Sequence, residues 1–226
     1  MLKKGCRPAK VRAQFDERKE AYSMARVDDF KQARALAAQE LAQEKLDDIS
    51  RRSGIPMAGP DALRLPFLGR VYLIAYPSFD FTDAADPTAQ IPLQEQVLIL
   101  HYMQNCRPQL KGQWVAYREI PGANFYFAAF AKRAVDPLKK AFGQNVEGLR
   151  KAAAKLGATP MDTGNAAFRF DLLPYAPIQM VVWEGDEEFP AEANILFDAS
   201  VGDYLSPEDA AWLASLPVYR LMALSR

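Results

Sequence analysis

Helix-forming and strand-forming stretches are grouped in blocks along this sequence, and that order restricts the fold more than any composition figure does. From Val11 to Arg52 there is neither Gly nor Pro, and Ala, Gln, Glu, Lys and Leu dominate. All are strong helix formers, so the stretch predicts one long helix or two joined helices, closed by Gly54 as a C′ residue. Phe30, Ala33, Ala37 and Leu41 recur on one face at helical spacing. Leu63 to Tyr76 then sets Leu65, Phe67, Val71, Tyr72, Leu73 and Ile74 around Gly69, which reads as two short strands or one bent strand. After a polar connector, a helix runs from Pro92 to about Cys106 and is ended by Arg107-Pro108.

Trp114 to Ile120 reads as a strand, and Pro121-Gly122 turns the chain. Asn124 is expected to cap a helix carrying Phe127, Phe130, Ala134, Leu138 and Phe142 on one face, kinked at Pro137 and stopped at Gly143. Asn145 caps another, to Leu156. A strand block follows: Phe168 to Leu172, then Ile178 to Trp183, whose apolar run marks it as central, then Glu192 to Phe197. Ser206-Pro207-Glu208-Asp209 supplies an N-cap, an N1 proline and two first-turn acids, so a short helix follows, with a last helix from Pro217. Doubly wound folds alternate β and α, whereas blocks predict an α+β fold: a mostly antiparallel sheet packed against several helices, with a long N-terminal helical segment. The 226 residues suit a single α+β domain, 28–226, behind a basic N-terminal extension, 1–27.

Net charge is zero, 28 Lys+Arg against 28 Asp+Glu, but its distribution is uneven. Residues 1–26 hold eight cations and three acids, whereas residues 160–226 hold three cations and eleven acids. Between Lys132 and Lys155 lie seven cations, and between Glu184 and Asp209 nine acids and no cation, so the two stretches could pair with each other or face separate partners. Overall neutrality makes nucleic-acid binding an unfavoured reading. No window is long and apolar enough for a membrane span, and Met1 to Arg12 lacks the apolar core of a secretion signal, so a cytoplasmic protein is expected. Cys6 and Cys106 stand a hundred residues apart with a single histidine in the chain, which supports neither a zinc site nor an iron–sulfur cluster from this chain alone. The P-loop, the dinucleotide-binding glycine fingerprint, the nucleophile elbow and the zinc-protease helix motif are absent.

Three groups of residues are candidates for binding. On the helix from Pro92, apolar almost all round, Gln94, His101 and Asn105 fall in one narrow stripe. It would line a pocket with His101 as ligand or general base, or serve as the polar edge of a buried helix. Trp183-Glu-Gly-Asp-Glu-Glu-Phe-Pro-Ala-Glu192 places five carboxylates in ten positions. Glu184, Asp186 and Glu188 alternate as hard-cation ligands could, but Gly185 breaks the EF-hand order and a solvated turn explains them equally. Glu192 and Asn194 share a strand face beside Trp183, a pocket wall or a solvent-facing edge. Arg118, before the expected helix start, could receive an anion there.

Leu65-Pro-Phe-Leu-Gly-Arg-Val-Tyr72, Ile91-Pro-Leu-Gln-Glu-Gln-Val-Leu-Ile-Leu-His-Tyr102 and Trp183 to Asp198, followed by Tyr204-Leu, together resemble the prokaryotic family catalogued as domain of unknown function 3786. The resemblance covers roughly Asp28 to the C-terminus. The family is common in anaerobic bacteria and archaea, which implies an anaerobic host, and some relatives carry an added cysteine-rich iron–sulfur segment, which implies an association with anaerobic redox or corrinoid metabolism. It brings no catalytic residues and no named cofactor. The expectation is an accessory module that binds a ligand or cofactor, or docks on a redox or corrinoid-pathway protein through its acidic C-terminal third. The alternative is a metal-dependent enzyme combining the acidic segment 184–192 with His101.

Overall fold

In the computed structural model, residues 27–225 are described. The basic extension and the part of the expected long helix before residue 27 lie outside them. Over the described part there are two helices, α1 (residues 27–41) and α2 (Leu46–Ser53). The bend between them is held by Arg52, whose guanidinium donates to both Glu44 carboxylate oxygens at 2.5 and 3.0 Å, and by the Tyr76 hydroxyl on the Glu44 carbonyl at 2.8 Å. Bending lets Leu41, Leu46 and Ile49 all reach the core. Gly54, at φ 70°, closes α2 by donating its N–H to Ser50 O, in the left-handed conformation a C′ residue needs.

β1 (Ala62–Phe67), β2 (Arg70–Ala75) and β3 (Phe81–Asp83) form an antiparallel sheet in that order. Leu68 and Gly69, both at positive φ, make the two-residue turn whose twist suits a tight hairpin. α3 (Leu93–Asn105) follows, then β4 (Trp114–Ala116). The strand expected through Ile120 stops early because local bonds replace the ladder: the Ala116 N–H donates to Glu119 Oε2 at 2.6 Å and the Ile120 N–H to Tyr117 O. The Tyr117 ring enters the core, stacked on Phe130 with centroids 4.0 Å apart. Asn124 does not cap a helix; Gly122, at φ 78°, takes the cap position of a 3-10 turn, Ala123–Tyr126.

The next helical run is α4 (Phe127–Phe130), a π-turn over Ala131–Val135, and α5 (Asp136–Phe142). Pro137 falls in the first turn of α5, where its missing N–H is tolerated, and the widened turn before it absorbs the expected kink. α6 (Val146–Lys155) is capped by Asn145, whose side chain accepts the Gly148 N–H at 3.0 Å.

A five-stranded antiparallel sheet is ordered β4-β8-β7-β6-β5, where β5 is Thr159–Met161, β6 Ala166–Asp171, β7 Pro177–Trp183 and β8 Glu192–Asp198. β7 is central, as its apolar run predicts. Phe168, Phe170, Ile178, Met180, Val182, Ile195 and Phe197 point from one face into the main core, which α5 and α6 cover. On the other face the Arg169 guanidinium lies 5.9 Å over the Trp114 ring, and Arg169 is the cross-strand neighbour of buried Gln179, so long side chains cover that residue.

The chain ends in α7 (Pro207–Leu224), one 18-residue helix where two were expected. Pro217 removes the bond to the Leu213 carbonyl, but Leu213, Ala214, Val218 and Leu221 are all buried around it, and packing carries the helix through. Each such buried leucine or valine contributes about 1.5–3 kcal/mol. α3 and α7 pack antiparallel, with His101 beside the start of α7 and Glu95 near its end. Among the described residues no helix is long and apolar enough to cross a membrane.

Candidate functional site

α1, α3 and the first turns of α7 enclose a cleft of about 230 Å³. Its apolar side is Phe30 and Trp212, in edge-to-face contact at 5.7 Å, with Ala33, Val97 and Leu98. Its polar side is Gln94 and His101 from α3, facing Ser206 and Asp209 from α7, and Asp29 and Glu208 add carboxylates. α1 is fixed over this space by Arg34, which donates to Gln96 Oε1 at 2.7 Å, to Phe79 O at 2.9 Å and to Asp80 Oδ1 at 2.8 Å.

The chemistry centres on His101. Its Nδ1–H donates to Asp209 Oδ1 at 3.0 Å, and among the described residues Nε2 is left as the uncommitted ring nitrogen. Asp209 is itself held: the Ser206 hydroxyl donates to Oδ2 at 2.7 Å while accepting the Asp209 N–H at 3.1 Å. The Asp209 hydrogen bond raises the His101 pKa above the ordinary 6.5 against the opposing effect of burial, with smaller support from Glu208 and Glu40. A carboxylate-oriented imidazole on the wall of a half-apolar cleft can donate when protonated and accept at Nε2 when neutral. The Arg133 guanidinium lies 5.1 Å from the centre of the Trp212 ring, and among the described residues Arg133 Nη1 and Trp212 Nε1 are both buried without a hydrogen-bond partner.

Of the residues singled out from sequence, Gln94 and His101 line this cleft together. Asn105 does not; it is exposed and donates to the His101 carbonyl at 3.1 Å. Arg118 is exposed and stacks 3.5 Å over Phe127, beside a 3-10 turn instead of the helix start expected there. Trp183 pairs directly with Glu192 across β7 and β8, on the sheet face turned away from the helices, and Asn194 Oδ1 accepts the Ile195 N–H.

Glu184, Asp186 and Glu188 are exposed in the turn between those strands, where Asp186 Oδ1 accepts the N–H groups of Phe189 at 2.7 Å and Glu188 at 2.9 Å. These bonds lower the Asp186 pKa. None of the acidic segment lines the His101 cleft, and among the described residues no group of three or more His, Cys, Asp or Glu could hold a metal ion. The basic stretch 132–155 and the acidic stretch 184–209 form no ion pair with each other among the described residues; Asp203 pairs with Lys111 at 2.6 Å and Lys151 with Glu147 at 3.9 Å. Cys106 is buried with its thiol on the Arg52 carbonyl, and desolvation pushes its pKa up to about 11.

Asp209, Phe30 and Trp212 were not singled out from sequence as binding residues. Asp209 had a sufficient local explanation as a first-turn acid, and nothing in sequence connects it to a histidine 108 positions earlier.

No curated protein and no solved structure matches the chain. The family model described as Domain of unknown function (DUF3786) matches residues 45–220, a span that contains the motifs at 65–72, 91–102 and 183–198. It takes in α2 through most of α7, including His101, Asp209 and Trp212 while leaving α1 outside. With well over half of its length matched, the chain belongs to the DUF3786 family.

Proposed function

We propose that this protein is a cytoplasmic accessory module that binds a small organic ligand in the cleft between α1, α3 and α7. The observation that carries the reading is the His101–Asp209 pair on the wall of a cleft that the Phe30 and Trp212 rings also line. A flat apolar part of the ligand rests on the aromatic side, and its polar edge meets His101 Nε2 and the Gln94 amide. Asp29 and Glu208 favour a cationic group at the acidic side. A cleft of about 230 Å³ is below the ~300–1,000 Å³ usual for drug-sized ligands, so the occupant is small, and a corrin ring is too large for it.

The association with anaerobic redox or corrinoid metabolism is then one of docking. The acidic turn supports it: Phe189 is 67% and Trp183 40% exposed beside Glu184, Asp186, Glu187 and Glu188, a combination suited to a basic, partly apolar partner.

Native mass spectrometry of anaerobically purified protein tests the ligand reading. A bound small molecule retained by the wild type and lost in both His101→Gln and Trp212→Ala supports it. A wild-type protein that carries no ligand and takes up none from a metabolite extract refutes it. An adduct that both variants keep also refutes the assignment to this cleft.

A further inference from the structure

At the opposite end of the α3–α7 pair lies a second cleft, of about 260 Å³, where the β1–β2 hairpin turn meets the end of α7. Arg70, Glu95 and Arg220 line it together with Tyr72, and Leu68, Leu216 and Tyr219 supply an apolar wall. Both arginines act electrostatically on the same carboxylate, that of half-buried Glu95. Glu95 is already engaged, since its Oε2 accepts the Tyr72 hydroxyl at 2.5 Å.

Neither guanidinium is used up by these neighbours. Arg220 donates Nε–H to the Leu68 carbonyl at 3.3 Å and makes no ion pair among the described residues. Arg70 Nε lies 3.8 Å from Asp83 Oδ2, whose partner oxygen Oδ1 accepts the Ala85 N–H, and the guanidinium also reaches the Tyr72 hydroxyl. Each guanidinium has five N–H donors in a planar fork, more than these contacts engage, so both retain donors for a third party. The charged lining residues, two arginines and one glutamate, sum to one net positive charge.

We propose that this cleft binds a small monocarboxylic acid, its carboxylate spanning Arg70 and Arg220 and its hydrocarbon body lying on Leu68, Leu216 and Tyr219. The flat carboxylate matches the guanidinium forks. One net positive charge matches a monocarboxylate and leaves half of a phosphate dianion's charge uncompensated where it is desolvated. The apolar wall favours a ligand with a hydrocarbon body over a bare inorganic ion. This site does not depend on the His101 cleft, with which it shares no lining residue.

The test is calorimetric titration of the full chain with hexanoate, acetate and inorganic phosphate as separate probes. Hexanoate is expected to bind saturably, and acetate, with the same head and no body, at least about tenfold more weakly, a factor that corresponds to about 1.4 kcal/mol. Phosphate is expected to be weaker than hexanoate. Arg70→Gln and Arg220→Gln should each weaken hexanoate at least tenfold, Glu95→Gln should tighten it, and His101→Gln should leave it unchanged.

Arg220 also holds the hairpin turn, so if Arg220→Gln fails to fold by circular dichroism, Arg70→Gln and Glu95→Gln carry the test. The proposal is overturned by the absence of saturable hexanoate binding, by phosphate binding more tightly than hexanoate, by wild-type affinity in the folded arginine variants, or by loss of binding in His101→Gln.

Discussion

Replacing Asp209 by Asn tests whether the carboxylate at the cleft sets the state of His101. The substitution keeps the shape and can still face Ser206, but it removes the charge that orients the imidazole. Side-chain exposure is 11% for Asp209 and 30% for His101, so the pair is only partly screened. A hydrogen bond between charged groups is worth about 1.5–3 kcal/mol, and solvent at His101 moves this pair toward the lower end. Asp209 is also a first-turn acid of α7, which adds about 0.3–1 kcal/mol through the helix dipole.

The total expected loss in Asp209→Asn is about 2–3 kcal/mol at about pH 5.5. Because the folded-state pKa of His101 is raised, its contribution is fully present below the unfolded value near 6.5 and disappears as pH rises through the folded value. The penalty should therefore shrink at about pH 8.5 to little more than the helix-dipole part. His101 is the sole histidine of the chain, so one imidazole resonance followed by NMR reports it without assignment. It should titrate above 6.5 in the wild type and at a lower pH in Asp209→Asn. Urea unfolding at the two pH values gives the stabilities. A wild-type midpoint at or below 6.5, or an equal penalty at both pH values, would sink the reasoning.

Three further substitutions and one labelling experiment probe the frame around the clefts. Gly54→Ala puts a Cβ 2.9 Å from Pro174 Cβ and from Tyr175 Cε2 at φ 70°, and should cost about 2–4 kcal/mol in chemical denaturation. Gly112→Ala has a comparable φ, 68°, with nothing within 4 Å, so it isolates the backbone strain at about 1 kcal/mol; equal losses would argue against the close approach. Asp198 accepts the N–H groups of Lys111, Ser200 and Gly112 at 3.0, 3.0 and 2.8 Å. Burial alone would raise its pKa, but these bonds and the Ser200 side chain lower it overall, so its contribution is present above the ordinary carboxylate range and lost as pH falls through the folded value. Asp198→Asn should cost about 2–3 kcal/mol near neutrality and less under acid, and a pH-independent loss would contradict this account. In a Cys6→Ser background, Cys106 should react with a thiol reagent only after denaturation, since its thiol is buried with a pKa near 11; rapid labelling of the native protein would show otherwise.

What could be read from sequence depended on whether a residue's local role was also its whole role. Ile178 to Trp183 announced itself because a strand buried on both sides is apolar at nearly every position, here all but Gln179, and β7 is central. Thr159–Met161 did not, since Pro160 sits in a three-residue edge strand that no alternation marks. Trp114 to Ile120 has strand-like residues, yet Glu119 captures the Ala116 N–H and ends the ladder, a competition that propensity does not weigh. Pro217 read as a helix start, and the burial of its neighbours overrides it.

The site divides in the same way. Gln94 and His101 stood out because they flank the apolar run Val97 to Leu100 of α3 on one face, and a polar pair beside such a run must meet something polar. Ser206 and Asp209 were fully explained by capping, so their second task left no local trace. One set of hydrogen bonds performs both tasks: the Ser206 hydroxyl that caps α7 also fixes Asp209 Oδ2, and Oδ1 then faces His101. Removing that hydroxyl in Ser206→Ala should accordingly cost about 1 kcal/mol in the cap and, in the same variant, shift the His101 titration, two effects that a purely structural cap would not couple.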